Sequence, residues 1–196
     1  MHLPEINPAE TVHKLLTKAL GLEDYCWVRD HLDQVGTDTF QRRFSYFFKL
    51  RRPAEWKVAY FKFMARARTR GTTFEATLRH LYTLGEKPQL EMSFASKLAA
   101  VLDPEKPIWD SIVTKEFGLE LKVPDGRTKL DEAVLAYARF EAAYAELLSS
   151  KSGRAALAYF DKTFPEYAGK ISAVKKLDCL LWGAGSHGGM DSVPVD

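Results

Sequence analysis

The sequence predicts a single all-α domain, a bundle of about nine to ten helices. Apolar residues recur every three to four positions along almost the whole chain, and no segment alternates in the manner of a half-buried strand. Proline and glycine interrupt this pattern at the spacing of ordinary helices. A chain of 196 residues, 46% of them hydrophobic, is long enough to bury one core.

Start and stop signals divide the first half of the chain into five helices. Asn7-Pro8 opens the first and Gly21 ends it, because proline suits the first helical turn and glycine the last. The third helix stops before Pro53, because a residue that precedes proline avoids the helical region. The second helix is predicted at 23–35, and the third runs from Thr37 or Asp38 to 52. The fourth is predicted at 53–71, and the fifth follows the caps Thr72 and Thr73.

The second half of the chain carries five more predicted helices. They lie at 90–102, 110–118, 129–148, 154–163 and 165–182, with surface turns at 85–88 and 123–126. The glycine-rich stretch after Trp182 is too poor in side chains to hold one conformation. We therefore predict a single helical domain at 1–182 and a flexible tail at 183–196.

Several classes of protein are excluded by missing patterns. The sequence has no phosphate-binding glycine loop, no GxSxG elbow and no HExxH or CxxC spacing, so no metal site and no cofactor are expected. Cys26 and Cys179 sit in apolar helical patterns and are predicted to be core thiols. No secretory signal and no membrane-spanning run is present, which predicts a cytoplasmic protein, or a nuclear one in a eukaryote.

Charge is unevenly distributed along the chain, although the net charge is only +2. Residues 42–70 hold ten basic side chains and one acid, Glu55, so the rest of the chain is net negative. An ordinary solvated face mixes both signs, whereas a face of one sign suits phosphate contacts. Nucleic-acid binding and a plain solvated face both remain open at this point.

A second signal is the segment 93–113, in which a helix rich in small residues precedes a proline-containing loop and an aspartate. Ala95, Ala99 and Ala100 permit close helix packing. Asp110 stands at a predicted helix start, where its carboxylate would accept hydrogen bonds from backbone N–H groups. A capping role alone accounts for an aspartate at this position.

This segment resembles the helix-hairpin-helix DNA glycosylases, in which an alanine-rich helix is followed by a Pro-Val-Asp-Thr-His-Val type sequence. The stretch 107–113, which reads Pro-Ile-Trp-Asp-Ser-Ile-Val, shares the proline, the apolar pair, the aspartate, the hydroxyl residue and the final valine. It is closer to small proteins of the 8-oxoguanine DNA glycosylase-like fold, whose Ser-Phe-Ala-x-Lys-Leu and Lys-x-x-Asp-x-x-Leu-Trp helices match 93–98 and 175–182. It departs from the family at Ile112, where histidine is usual, and in the turn 85–88, which has a single glycine.

The resemblance implies a protein that binds duplex DNA, flips a damaged base into a pocket and hydrolyses its N-glycosidic bond. Asp110 would be the catalytic carboxylate, which stabilises the positive charge that develops on the sugar. The enzyme would be monofunctional. Bifunctional members use a lysine well before the aspartate, and neither Lys87 in the turn nor Lys97, 13 residues before Asp110, matches that position.

The remaining expected contacts follow from the same resemblance and from charge. Trp109 could stack on a base or pack in the core. A rival hypothesis keeps the scaffold for non-catalytic binding of nucleic acid or protein, with Asp110 as a cap only, and the sequence leaves the two hypotheses open. The residues expected to contact nucleic acid are Arg66, Arg68, Arg70, Lys97 and Lys106.

Overall fold

The computed structural model describes residues 21–185 and six residues before them, Leu3, Pro4, Ile6, Asn7, Ala9 and Thr11. Most of the first predicted helix and the tail after residue 185 lie outside the described residues.

The described part of the chain is all-α, which confirms the predicted fold class. It holds nine α-helices, two 3₁₀ turns (Leu32–Gln34 and Pro165–Tyr167) and no strand. None of these helices is long and apolar enough to cross a membrane. The helices are α1 (Leu22–Asp30), α2 (Asp38–Phe47), α3 (Ala54–Arg70), α4 (Phe74–Tyr82), α5 (Met92–Leu102), α6 (Ser111–Glu116), α7 (Lys129–Ser149), α8 (Lys151–Thr163) and α9 (Ala173–Gly185).

Most of these helices begin at a side chain that accepts a hydrogen bond from the first turn. Such a cap satisfies one of the backbone N–H groups that a helix start leaves without a partner. The caps predicted at Thr37, Thr73 and Asp110 are confirmed. Three others are Thr128, Ser150 and Ser172.

Four predicted helices have different bounds in the structure. Helix α1 ends at Asp30 instead of 35, and the separate 3₁₀ turn Leu32–Gln34 follows it. Helix α2 ends at Phe47 instead of 52, because Lys49 takes the left-handed conformation (φ 53°) and the Leu50 N–H bonds back to the Ser45 carbonyl. Helix α8 starts at Lys151, three residues earlier than predicted, because Ser150 caps it. The segment predicted as one helix at 165–182 is a 3₁₀ turn followed by α9, which Ser172 caps. Helix α9 continues to Gly185 and therefore includes the first three residues of the predicted tail.

Helix α9 lies near the middle of the bundle and packs against α6, α7 and α8. Behind it, the rings of Phe117, Phe140 and Tyr144 contact one another and are almost wholly buried. A second aromatic group, around Phe44, Tyr60 and Phe61, joins α2 to α3. Helix α6 packs against α9, and this packing brings Asp110 and the polar residues of α9 to the same cleft.

Candidate functional site

A cleft of about 380 Å³ opens between the end of α2, helix α5, the start of α6 and helix α9. Its apolar wall includes Phe47, Phe48, Ile108 and Trp182. Six charged side chains also line the cleft: Asp24 from α1, Lys49 after α2, Lys97 from α5, Asp110 from the start of α6, and Lys175 and Asp178 from α9. An apolar cleft with a few converging polar groups is the usual form of a ligand site.

Asp110 is both a helix cap and part of the cleft wall. Its Oδ1 accepts a hydrogen bond of 2.9 Å from the Ile112 N–H, as a cap does, and the side chain is half-buried. The Asp110 carbonyl accepts from the N–H of Thr114 at 2.8 Å and from its hydroxyl at 2.9 Å. The carboxylate is therefore held in one orientation by its own helix while it borders the cleft.

The loop that leads to Asp110 is fixed from two sides. Helix α7 reaches it through the Tyr137 hydroxyl, which donates to the Pro107 carbonyl at 2.8 Å. Helix α5 reaches it through Ser96, whose hydroxyl oxygen accepts from the Trp109 N–H at 2.9 Å. The predicted close packing of the alanine-rich helix is confirmed, since Ala95, Ala99 and Ala100 are buried.

Lys97 shares the cleft with Asp110. Its Nζ donates to the Phe48 carbonyl at 3.1 Å and lies 5.1 Å from the centroid of the Phe94 ring. Burial lowers the pKa of the Lys97 ammonium; Asp110 raises it and Lys175 adds to the lowering. The side chain is thus a half-buried amine that is easier to deprotonate than a surface lysine and lies within electrostatic reach of the aspartate.

Helix α9 contributes a basic and an acidic side chain. The Lys175 ammonium lies 4.7 Å from the centroid of the Tyr25 ring and 5.7 Å from that of Phe47. Asp178, one turn further on, is 6% exposed, and its Oδ1 accepts a hydrogen bond of 2.5 Å from the Tyr144 hydroxyl. Burial raises the pKa of Asp178 to about 6, against the lowering effects of Lys175, Tyr144 and the Ile108 backbone.

The residues expected to bind nucleic acid are divided between two places. Lys97 lies in the cleft of Asp110, whereas Arg68 and Lys106 line a second cleft of about 480 Å³. Lys106 is paired there with Glu141 at 2.7 Å. Arg66, Arg68 and Arg70 are all exposed at the end of α3. Trp109 is half-buried with its ring edge-on to Phe140, 5.2 Å between centroids.

Most cations of the basic segment have no acidic partner among the described residues. Of its ten cations, Arg43 pairs with Asp24 and Arg52 with Glu91. Within the described residues the other eight form no ion pair: Arg42, Lys49, Arg51, Lys57, Lys62, Arg66, Arg68 and Arg70. The same segment also supplies Tyr46, Phe47, Phe48 and Lys49 to the cleft of Asp110.

Sequence reasoning did not assign a role to Lys175, Asp178 or the 46–49 segment. A signal for the first two exists, because positions 175, 178 and 182 fall on one face of a helix. Two of the three are charged, in a stretch whose only other charged residue is Lys176. No comparable signal marks Tyr46 and Lys49, because their position depends on where α2 ends.

Neither a metal site nor a relative identifies the cleft. In the described part of the chain no group of three or more His, Cys, Asp or Glu residues is placed to hold a metal ion. No protein-family model, no curated protein and no solved structure matches the chain.

Proposed function

We propose that the protein binds duplex DNA and excises a damaged base by hydrolysing its N-glycosidic bond, with Asp110 as the catalytic carboxylate. The observation that carries this proposal is the position of Asp110 on the wall of an aromatic cleft beside two lysines. An aspartate that served as a cap alone would need no cleft, since a cap requires only the first turn of its own helix.

The cleft suits a base that has been flipped out of a duplex. Ring faces and apolar side chains hold a nucleobase by stacking, and Phe47, Phe48 and Trp182 provide such a wall. As the glycosidic bond breaks, positive charge develops on the sugar. A fixed carboxylate stabilises that charge and can orient the attacking water, and Asp110 is fixed by its bond to the Ile112 N–H.

The eight unpaired cations of residues 42–70 supply the charge that phosphates require. Because Tyr46 and Lys49 belong to this segment and border the cleft, a duplex on the basic surface would have the cleft within reach. Such an activity belongs in the compartment that holds DNA, the cytoplasm or, in a eukaryote, the nucleus.

One observation favours a second candidate, in which an amine replaces water as the nucleophile. Lys97 shares the cleft with Asp110, and burial lowers the pKa of its ammonium. A neutral amine could attack the sugar C1′ as the base leaves and form a Schiff base, which hydrolysis does not form. Borohydride reduction distinguishes the two: hydrolysis leaves no protein–DNA adduct, whereas amine attack gives one that Lys97→Met abolishes.

The proposed function is tested by incubating the protein with duplexes that carry 8-oxoguanine, uracil, hypoxanthine or an alkylated purine and measuring the released base. We expect release from at least one duplex, and loss of that release in Asp110→Asn with DNA affinity retained. Binding without release from any duplex would support the non-catalytic hypothesis, and absence of both would remove nucleic acid from the proposal.

A further inference from the structure

We propose that Asp178 is a second catalytic carboxyl in the same cleft, a general acid that protonates the departing base while Asp110 stabilises the sugar. This inference rests on the proposed function. It assigns different roles to two carboxyl groups that separate elements bring to one cleft, Asp110 from the start of α6 and Asp178 from α9.

The surroundings of the two carboxyls differ in the way that acid–base pairs require. Asp110 is half-buried at the start of a helix, and its carboxylate accepts a hydrogen bond from the backbone N–H of Ile112. Asp178 is 6% exposed and lies against the aromatic core. A carboxyl in such apolar surroundings tends to keep its proton, which is the condition for acting as an acid near neutral pH.

The hydrogen-bond partners of Asp178 do not accept the proton that its carboxyl would carry. Tyr144 donates its hydroxyl hydrogen to Oδ1 at 2.5 Å, and the Ile108 backbone N–H is also hydrogen-bonded to the carboxyl. Both groups act as donors, so neither takes up a proton that Asp178 carries. Asp178 lines the cleft, where a flipped base would lie.

The charged and titratable neighbours act on Asp178 in opposite directions. Burial raises its pKa to about 6, and Asp110 adds to this, whereas Lys175 and the two hydrogen bonds lower it. A value near 6 leaves a useful fraction protonated at neutral pH and lets the group cycle between its two forms. The groups near Asp178 are Tyr25 on α1, Asp110 before α6, Tyr137 and Tyr144 on α7, and Lys175 and Cys179 on α9.

The proposed step is balanced in protons and consumes one water. The bond between C1′ and the base nitrogen breaks, and the proton of Asp178 moves to the leaving base. Water forms the new bond to C1′ and gives its proton to the Asp110 carboxylate. Exchange with solvent then returns a proton to Asp178 and removes one from Asp110, so the enzyme is regenerated without a redox partner.

A purely structural role for Asp178 would give a different pH response. As a tie between Tyr144, the Ile108 backbone and α9, it would support the fold, and its loss would lower activity equally at every pH. A general acid works only when protonated, so activity should fall as the pH rises through the pKa of Asp178. The position of that fall is therefore the decisive measurement.

The experiment is the pH profile of base release under single-turnover conditions, on whichever duplex of the panel the wild-type protein cleaves. We expect the wild-type rate to fall as the pH rises above about 6. Asp178→Asn should lower the maximum rate of base release by roughly a hundredfold or more, and its rate should no longer fall over this pH range. The hydrogen bond from Tyr144 stabilises the ionised Asp178, so its loss in Tyr144→Phe should raise the pKa of that carboxyl. The fall in rate should then move to higher pH by about one pH unit.

Tyr60→Phe is the matched control, because it removes another buried hydroxyl, one that donates to the Phe94 carbonyl and not to Asp178. Two results would overturn the general-acid role and leave the proposed function standing. In one, the rate of base release falls at the same pH in wild type and in Tyr144→Phe. In the other, a folded Asp178→Asn variant shows the same fall in rate as wild type. If the wild-type protein releases no base at all, the proposed function fails first and this inference fails with it.

Discussion

The hydroxyl oxygen of Ser96 accepts a hydrogen bond of 2.9 Å from the backbone N–H of Trp109, the residue before Asp110. Ser96 is fully buried in the middle of α5, and its own hydrogen goes to the Ser93 carbonyl at 3.0 Å. A hydroxyl in a helix core is costly unless it is bonded. This one joins two elements and so sets the position of Asp110 from the neighbouring helix.

We expect Ser96→Ala to lower the free energy of unfolding by about 1–3 kcal/mol, because the half-buried backbone N–H of Trp109 is left without its acceptor. Urea denaturation measures this loss. Base release should fall as well, since the loop that carries Asp110 loses its tie to α5. Ser149→Ala, at an exposed position of α7, is the control and should change stability by less than about 0.5 kcal/mol.

The capping and chemical roles of Asp110 can be separated by two substitutions. Asp110→Ala removes the acceptor for the Ile112 N–H and should cost about 1 kcal/mol of stability. Asp110→Asn keeps an acceptor of the same shape, so stability and DNA affinity should stay close to wild type, while base release should fall by orders of magnitude. Full activity in Asp110→Asn would reduce Asp110 to a cap.

The sequence predicted the fold well and the candidate site in part, because helix signals are local and cleft walls are not. Periodicity and caps such as Thr73 and Asp110 depend on neighbouring residues, so the fold class and most helix starts could be deduced. The early end of α2 depends on the left-handed conformation of Lys49, a position where glycine is usual and which a lysine does not signal.

The cleft partners of Asp110 lie far from it along the chain. Asp178 is 68 residues away and is brought near by the packing of α9 on α6, which no local pattern encodes. Lys97 is close to Asp110 in sequence, and the spacing of 13 residues argued against its use as the amine nucleophile. It reaches the cleft because the loop between α5 and α6, which the Ser96–Trp109 hydrogen bond stabilises, folds back toward α5.

The unpaired cations at the end of α3 predict salt-sensitive binding. We expect affinity for an undamaged duplex to fall steeply between about 50 and 200 mM salt, because phosphate contacts release counterions. Reversing Arg66, Arg68 and Arg70 together to Glu should abolish binding and flatten the salt dependence. A gel-shift titration at several salt concentrations measures both effects.

The control for that variant reverses three exposed cations of α8, Lys151, Arg154 and Lys162, which changes the net charge by the same amount. This control should lose much less affinity if binding depends on the basic segment, because the α8 cations lie outside residues 42–70, which hold ten cations and one acid. Equal losses in the two variants would mean that net charge alone governs binding.

Asp178 should also make stability depend on pH. Its folded-state pKa of about 6 lies above the value of about 3.9 expected for the unfolded chain, so the folded state holds the proton more tightly. The stabilisation from that proton is complete below about pH 4 and is lost as the pH rises to about 6. Relative to Asp178→Asn, wild type should therefore lose about 3 kcal/mol of unfolding free energy across this range.

Urea denaturation of both proteins at half-unit pH steps from 4 to 8 gives this difference directly. Asparagine alters the bonds to Tyr144 and the Ile108 backbone at every pH, which shifts the difference by a constant and leaves its slope intact. Asp125→Asn, in an exposed turn, controls for the loss of a carboxyl as such. A difference that stays flat from pH 4 to 7 would mean that the pKa of Asp178 is the same in the folded and unfolded chain. Asp178 would then be ionised near neutral pH and could not protonate the base.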